Sequence, residues 1–144
     1  MSKYFGTDGF RGEANKVLKA DDAYKIGRYL GWYYSREHRG RIVIGKDTRR
    51  SSYMFEYALV AGITASGSDA FLLHVTTTPS VAYVVRTEEF DCGIMVSASH
   101  NPYYDNGIKI IDGNGHKIAS DIEEAMENYI DGIVEELPFA TGDA

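Results

Sequence analysis

The sequence holds a single cysteine, Cys92, among 144 residues. That excludes an internal disulfide and suits a reducing compartment. Cys92 adjoins an apolar run and reads as a small buried hydrophobe rather than a reactive thiol. No apolar stretch approaches the ~18 residues needed to cross a bilayer, and the polar start Met1-Ser2-Lys3-Tyr4 lacks the apolar core of a signal peptide. A soluble, cytoplasmic protein with no membrane partner is expected. Basic runs are also missing. The formal charge is -6, with 15 Lys and Arg against 21 Asp and Glu, so nothing recruits nucleic acid. No repeat, low-complexity tract or Pro/Gly-rich linker divides the chain, and its length with 44% hydrophobic content suits one ordinary core. One domain over 1–144 is expected.

What is present is an alternation of strand-like and helix-like segments. Arg41 to Gly45 encloses Ile42-Val43-Ile44, Ala70 to Leu73 reads as a second strand, and Gly93 to Val96 as a third. Asp21 or Asp22 caps a helix with the apolar stripe Ala23, Ile26, Leu30 and Tyr33 or Tyr34, and Ser51 or Ser52 starts another through Phe55, Leu59 and Ile63. Thr78-Pro79 marks a third start, with Pro at the first helical position. The last helix opens with a capping box, Ser120 and Glu123, and repeats its apolar side at Ile122, Met126, Tyr129, Ile130 and Ile133. Strands separated by helices imply crossover connections. The expected fold is α/β, a three-layer α/β/α domain with a mixed, mainly parallel sheet. The exception is the short polar connection from Gly93–Ser99 to Gly107–Asp112, which favours an antiparallel hairpin.

Three loops carry residues able to do chemistry. The first, Ser97-Ala98-Ser99-His100-Asn101-Pro102-Tyr103-Tyr104-Asp105-Asn106-Gly107-Ile108-Lys109, joins a hydroxyl, an imidazole, an amide and an amine. If Ser99 pairs opposite Gly107, Lys109 falls opposite Ser97, ~7 Å along the strand from Ser99. Lys109 then reaches far enough to stabilise an anion on Ser99 or to move a proton. A hairpin whose Ser, Asn and Pro only make turn hydrogen bonds fits the same residues. The second loop, Gly6-Thr7-Asp8-Gly9-Phe10-Arg11-Gly12, sets Arg11 among glycines that let a ligand approach the backbone, and its guanidinium matches phosphate oxygens. An ordinary turn with a surface arginine fits it as well. The third, Gly45-Lys46-Asp47-Thr48-Arg49-Arg50-Ser51-Ser52, lies between a strand and a helix, where α/β proteins bind ligands. It is not a Walker loop, because Asp47 stands where a hydroxyl should follow Lys46. Arg49 contacting phosphate and a capping turn with solvated charges both remain open. His38, His74 and His116 are not at ligand spacing with each other or with Cys92, and no D-x-D-x-D cluster appears, so no complete magnesium site is visible.

Together these loops resemble the α-D-phosphohexomutase family, in order from Lys3 almost to the C-terminus. The segments Tyr4 to Gly12, Gly45 to Arg49, Thr78-Pro79 with Val81-Ala82-Tyr83, and Ser97 to Lys109 are most similar to its glucosamine-phosphate branch. The resemblance implies that Ser99 is the phosphate carrier, that His100 shapes its loop, and that Lys109 and Arg11 flank the reacting phosphoryl group. Asn101 and Arg49 would serve phosphate or substrate binding. It implies interconversion of glucosamine 6-phosphate and glucosamine 1-phosphate through a bisphosphate intermediate, primed by bisphosphorylated sugar, with Mg²⁺ bridging the Ser99 phosphate. The alternatives are a phosphomannomutase or phosphoglucomutase domain, or a non-catalytic sugar-phosphate-binding module. A serine hydrolase fits poorly, since there is no G-x-S-x-G elbow. In the family the remaining metal ligands and sugar contacts come from later domains. The chain is therefore expected to be the amino-terminal domain of a longer enzyme, inactive alone, with those domains, the sugar phosphate and a possible second copy as its partners.

Overall fold

The computed structural model describes residues 4–6, 9–98, 101–134 and 136–141. In chain order they form β1 (Phe5–Gly6), β2 (Gly9–Glu13), α1 (Ala20–Tyr34), β3 (Arg41–Lys46), α2 (Arg50–Ala65), β4 (Asp69–Val75), α3 (Thr78–Thr87), β5 (Cys92–Val96), β6 (Asp105–Asp112) and α4 (Ser120–Ile130). The strands make one sheet in the order β1-β2-β6-β5-β3-β4. Pairing is parallel where helices connect the strands, in β4–β3 and β3–β5. It is antiparallel from β5 through β6 and β2 to β1. The parallel part is thus smaller than the sequence pattern suggests. Gly6 to Gly12, read as a glycine-rich loop, instead takes part in two strands, β1 and β2, whose alternation the glycines conceal.

Helices cover both faces of the sheet. Ile42 and Ile44 of β3 point to one side with Ile94, Ile108 and Ile110, where Ile26 and Leu30 of α1, Phe55, Leu59 and Ile63 of α2, and Met126 of α4 complete the larger core. Val43, between the two isoleucines, points the other way and meets Val81 and Val85 of α3, Met95 and Ile111. A strand covered on both faces is apolar on both, which is why β3 and β5 centre on the continuous apolar runs Ile42-Val43-Ile44 and Ile94-Met95-Val96. Each fully buried Leu, Ile or Phe contributes about 1.5–3 kcal/mol of burial free energy. α1 and α2 approach closely enough for their backbones to touch: a Cβ on Gly62 would lie 2.3 Å from the Tyr24 carbonyl oxygen, and one on Gly27 2.4 Å from that of Leu59.

The helix starts differ in detail from expectation. The cap of α1 is Lys19, and Asp22 acts from inside the first turn by accepting from the Lys19 N–H at 2.9 Å. Arg49 caps α2, leaving Ser52 in its first turn. Thr77 caps α3, its hydroxyl accepting from the Ser80 N–H at 3.3 Å. The capping box of α4 does not form. Its cap is Ala119, and buried Glu123 pairs instead with Lys117 at 3.1 Å. The helix stops at Ile130, before Gly132 at φ 73°, so Ile133 falls outside the apolar stripe and is 70% exposed.

Candidate active site

The arginine of the glycine-rich segment and the lysine of the hairpin lie on adjacent strands. Arg11 of β2 pairs with Gly107 of β6. Across β6, the Ser97 N–H donates to the Gly107 carbonyl at 2.9 Å, so Gly107 sits between Arg11 and Ser97. Residues opposite one another share a sheet face, as do residues two apart. Arg11, Ser97 and Lys109 therefore lie on one face, that of α3. Gly107 keeps the site open: a Cβ there would meet Arg11 Cγ and the Ser97 carbonyl oxygen, each at 2.8 Å. The register differs from the expected one by two residues. Lys109 is opposite Met95, not Ser97, because β5 ends at Val96 and Asp105 to Gly107, expected as the close of the turn, already belong to β6. Ser99 and His100 lie outside the described residues.

Arg11 is half-buried, and its Nε is buried with no hydrogen-bond partner among the described residues. An unsatisfied buried donor costs about 1–3 kcal/mol. One held on a sheet face beside a second cation is suited to an anion that supplies the missing acceptor.

The loop after β3 grips the other side of the hairpin connection. Arg49 donates one arm of its guanidinium to Asp47 Oδ2 and the other to the Asn101 carbonyl at 2.7 Å. Asp47 Oδ1 accepts from the Arg49 N–H at 3.0 Å and from Ser52 Oγ at 2.6 Å. Burial, the largest single influence, pushes the Asp47 carboxyl up. Hydrogen bonds from Ser52, the Arg49 backbone and Ser97, with the Arg49 charge, outweigh it and hold the group below its usual range. Asn101 donates from its side chain to Asp105 Oδ2 at 3.2 Å, and its N–H bonds the Ala98 carbonyl at 3.0 Å. Fully buried Asn106 donates to Ser51 Oγ at 2.8 Å and Ser52 Oγ at 3.0 Å. Beside the loop, Tyr103 and Tyr104 meet edge to face and line a groove of about 380 Å³ with Ala14, Asn15, Arg50, Ser51 and Met54.

The profile of "Phosphoglucomutase/phosphomannomutase, alpha/beta/alpha domain I" matches residues 2–136. The chain belongs to this family. As a phosphohexomutase domain it is 67% identical over 143 residues to the phosphoglucosamine mutase of Lachnoclostridium phytofermentans, covering 99% of this chain and 32% of that protein. It is also 67% identical to the phosphoglucosamine mutase of Lachnospira eligens, with 98% and 32% covered. The crystal structure of a phosphoglucomutase/phosphomannomutase family protein from Burkholderia thailandensis superposes with a TM-score of 0.76 at 27% identity, over 94% of this chain and 32% of that one. The chain thus spans about a third of the length of the curated relatives it matches.

Other supports of this phosphohexomutase domain escape the sequence pattern. Lys46, at the end of β3, is 2% exposed and binds both carboxylate oxygens of Glu56, at 3.0 and 3.1 Å. Glu127 of α4 accepts from the N–H groups of Tyr4 and Phe5, anchoring the chain that leads into the arginine strand. Nothing in a lone buried-position Glu on an amphipathic helix reveals a partner more than a hundred residues away. Among the described residues no group of three or more His, Cys, Asp or Glu side chains is placed to hold a metal ion. His38 pairs with Asp91 at 2.9 Å, and His74 is the penultimate residue of β4, at φ 61°.

Proposed function

We propose that this chain is the phosphoserine-carrying domain of a longer, cytoplasmic phosphohexomutase that interconverts glucosamine 6-phosphate and glucosamine 1-phosphate. The observation that carries this reading is the juxtaposition of Arg11, with its unsatisfied buried Nε, and Lys109 on the sheet face where the Ser97 end of the hairpin connection begins. Two cations there match an anion carried by the next hydroxyl along the loop, Ser99. The names of the 67% identical relatives support the amino-sugar substrate.

In this reading a Ser99 phosphate passes to the free hydroxyl of the sugar phosphate. The bond from phosphorus to Ser99 Oγ breaks, a bond to the sugar oxygen forms, and the sugar hydroxyl proton leaves. The bisphosphate turns, and its other phosphate returns to Ser99. Arg11 offsets the charge on the transferring group, and Lys109 does the same or handles the proton. Charge stabilisation and positioning supply most of the catalysis in such transfers. His100 shapes the loop, while Arg49 and Asn101 hold its phosphate-binding edge. The described residues do not by themselves form a metal site. Mg²⁺ belongs to this reading as a cofactor of the longer protein, with the Ser99 phosphate as this chain's contribution to its ligands. In the longer protein, Ser99→Ala should abolish mutase activity and remove the mass of one phosphate from the protein isolated from cells. Normal turnover by that variant, or phosphate mapped to Ser97, would overturn the assignment.

A further inference from the structure

Asp47 is tied to both ends of the connection that carries Ser99, to one directly and to the other through Arg49. Its backbone N–H donates to the carbonyl of Val96, the last residue of β5, at 3.1 Å. On the near side the Ser97 hydroxyl donates to the carboxylate. On the far side Arg49 spans from Asp47 Oδ2 to the Asn101 carbonyl. Residues 97 and 101 bracket Ser99 and His100, so one side chain, directly and through a single guanidinium, fixes the entry and exit of that dipeptide. Both Asp47 and Arg49 are largely withdrawn from solvent, with side chains 21% and 12% exposed. In such surroundings a charge-assisted, two-armed contact is stronger and more directional than a surface pair. The carboxylate is anchored in turn by Ser52 Oγ, and Ser52 is also held by Asn106 at the start of β6.

We infer that Asp47 is a positioning residue for the phosphate-carrying loop, acting through Arg49 and Ser97 rather than on the substrate. This rests on the reading of Ser99 as the carrier, but the ordering of the loop can be measured without it. Removing the charge leaves the Arg49 guanidinium without its anion and releases the Ser97 hydroxyl. The loop then samples a wider set of positions, and phosphoryl transfer is sensitive to displacements of about 1 Å.

The test uses the longer protein in four forms: wild type, Asp47→Asn, Arg49→Lys and the double variant Asp47→Asn/Arg49→Lys. Asp47→Asn keeps the size of the side chain and one acceptor oxygen, but turns an N–H₂ toward a donor. It should lower kcat about 10- to 100-fold with KM within about twofold. In native deuterium exchange, peptides covering 97–106 should exchange about tenfold faster while those of α1 and β4 are unchanged. Because both side chains act through one contact, the double variant should lose little more than Asp47→Asn alone. A kcat within twofold of wild type, or a fall in kcat with unchanged loop exchange, overturns the inference. If wild type shows no transfer, the proposed function fails and the exchange comparison alone decides: unchanged exchange at 97–106 defeats the positioning role. If Asp47→Asn does not fold, Arg49→Lys decides by the same exchange measurement, since it leaves the carboxylate on Ser52 and Ser97 and removes the two-armed guanidinium bridge from Asp47 to the Asn101 carbonyl.

Discussion

Cys92 is fully buried at the start of β5, and burial, with the charges of Asp91 and Asp112, pushes its thiol well above the usual cysteine range. A thiol that is both protonated and inaccessible does not react. A thiol probe at neutral pH should therefore label the native domain only at the rate of global unfolding; labelling within minutes under native conditions would contradict the burial. Lys46 and Glu56 present a different case, an ion pair with both side chains about 2% exposed or less. Breaking one partner strands the other charge in the core and should cost about 3–5 kcal/mol, whereas an apolar pair of similar volume can restore most of it. Denaturant titrations should accordingly rank Lys46→Met and Glu56→Leu below the double variant Lys46→Met/Glu56→Leu. A double variant less stable than either single change would show that the pair itself stabilises the fold.

At the scale of elements, the contact of α1 with α2 depends on the absence of side chains at the crossing. A Cβ on Gly62 would meet the Tyr24 carbonyl oxygen, the Arg28 nitrogen and the Gly27 carbonyl carbon at 2.3, 2.6 and 2.9 Å, all backbone atoms that cannot swing aside. Gly62→Ala should destabilise by about 1–3 kcal/mol or more, because the helices must part along their length. A calorimetric midpoint unchanged by the substitution would refute the close crossing. The helices and parallel strands were legible in the sequence because Ile26, Leu30, Phe55, Leu59 and Ile63 repeat at helical spacing and β3 and β5 carry the apolar runs Ile42-Val43-Ile44 and Ile94-Met95-Val96. β2 was not legible, since Gly9 and Gly12 interrupt any alternation around Phe10 and Arg11. The hairpin was foreseen and its register was not. Sequence marks a turn by Asp105-Asn106-Gly107, yet Asn106 and Gly107 find ladder partners in β2 that only the sheet order reveals. Lys109 was singled out for its loop, Arg11 for its glycines. That their strands are neighbours is a fact of topology, as is the pairing of β3 with β5 that brings Asp47 and Arg49 to Asn101.

For the whole molecule, a sheet covered on both faces and helices with consistent apolar sides should let this chain fold by itself. Transfer needs more than folding, because no described cluster holds a metal and the chain spans about a third of its relatives. Purified and assayed with glucosamine 6-phosphate, Mg²⁺ and a glucosamine 1,6-bisphosphate primer, the folded 144-residue chain should show no appreciable turnover. Turnover within tenfold of the longer protein would refute the proposed division of the enzyme. Arg28 knits the domain together from within: fully buried, it donates to Ser66 Oγ, to Glu136 and to the carbonyls of Leu137 and Pro138, and lies 3.8 Å from the centre of the Phe139 ring. Segment 136–139 is thereby bound to the two glycine-joined helices. The placement of Arg11 and Lys109 on hydrogen-bonded strands carries a mechanical consequence. Neither backbone can shift against the other without breaking ladder bonds, so the pair behaves as a stator. In the proposed reaction, a sugar bisphosphate that exchanges its ends must do all of its turning relative to this fixed part.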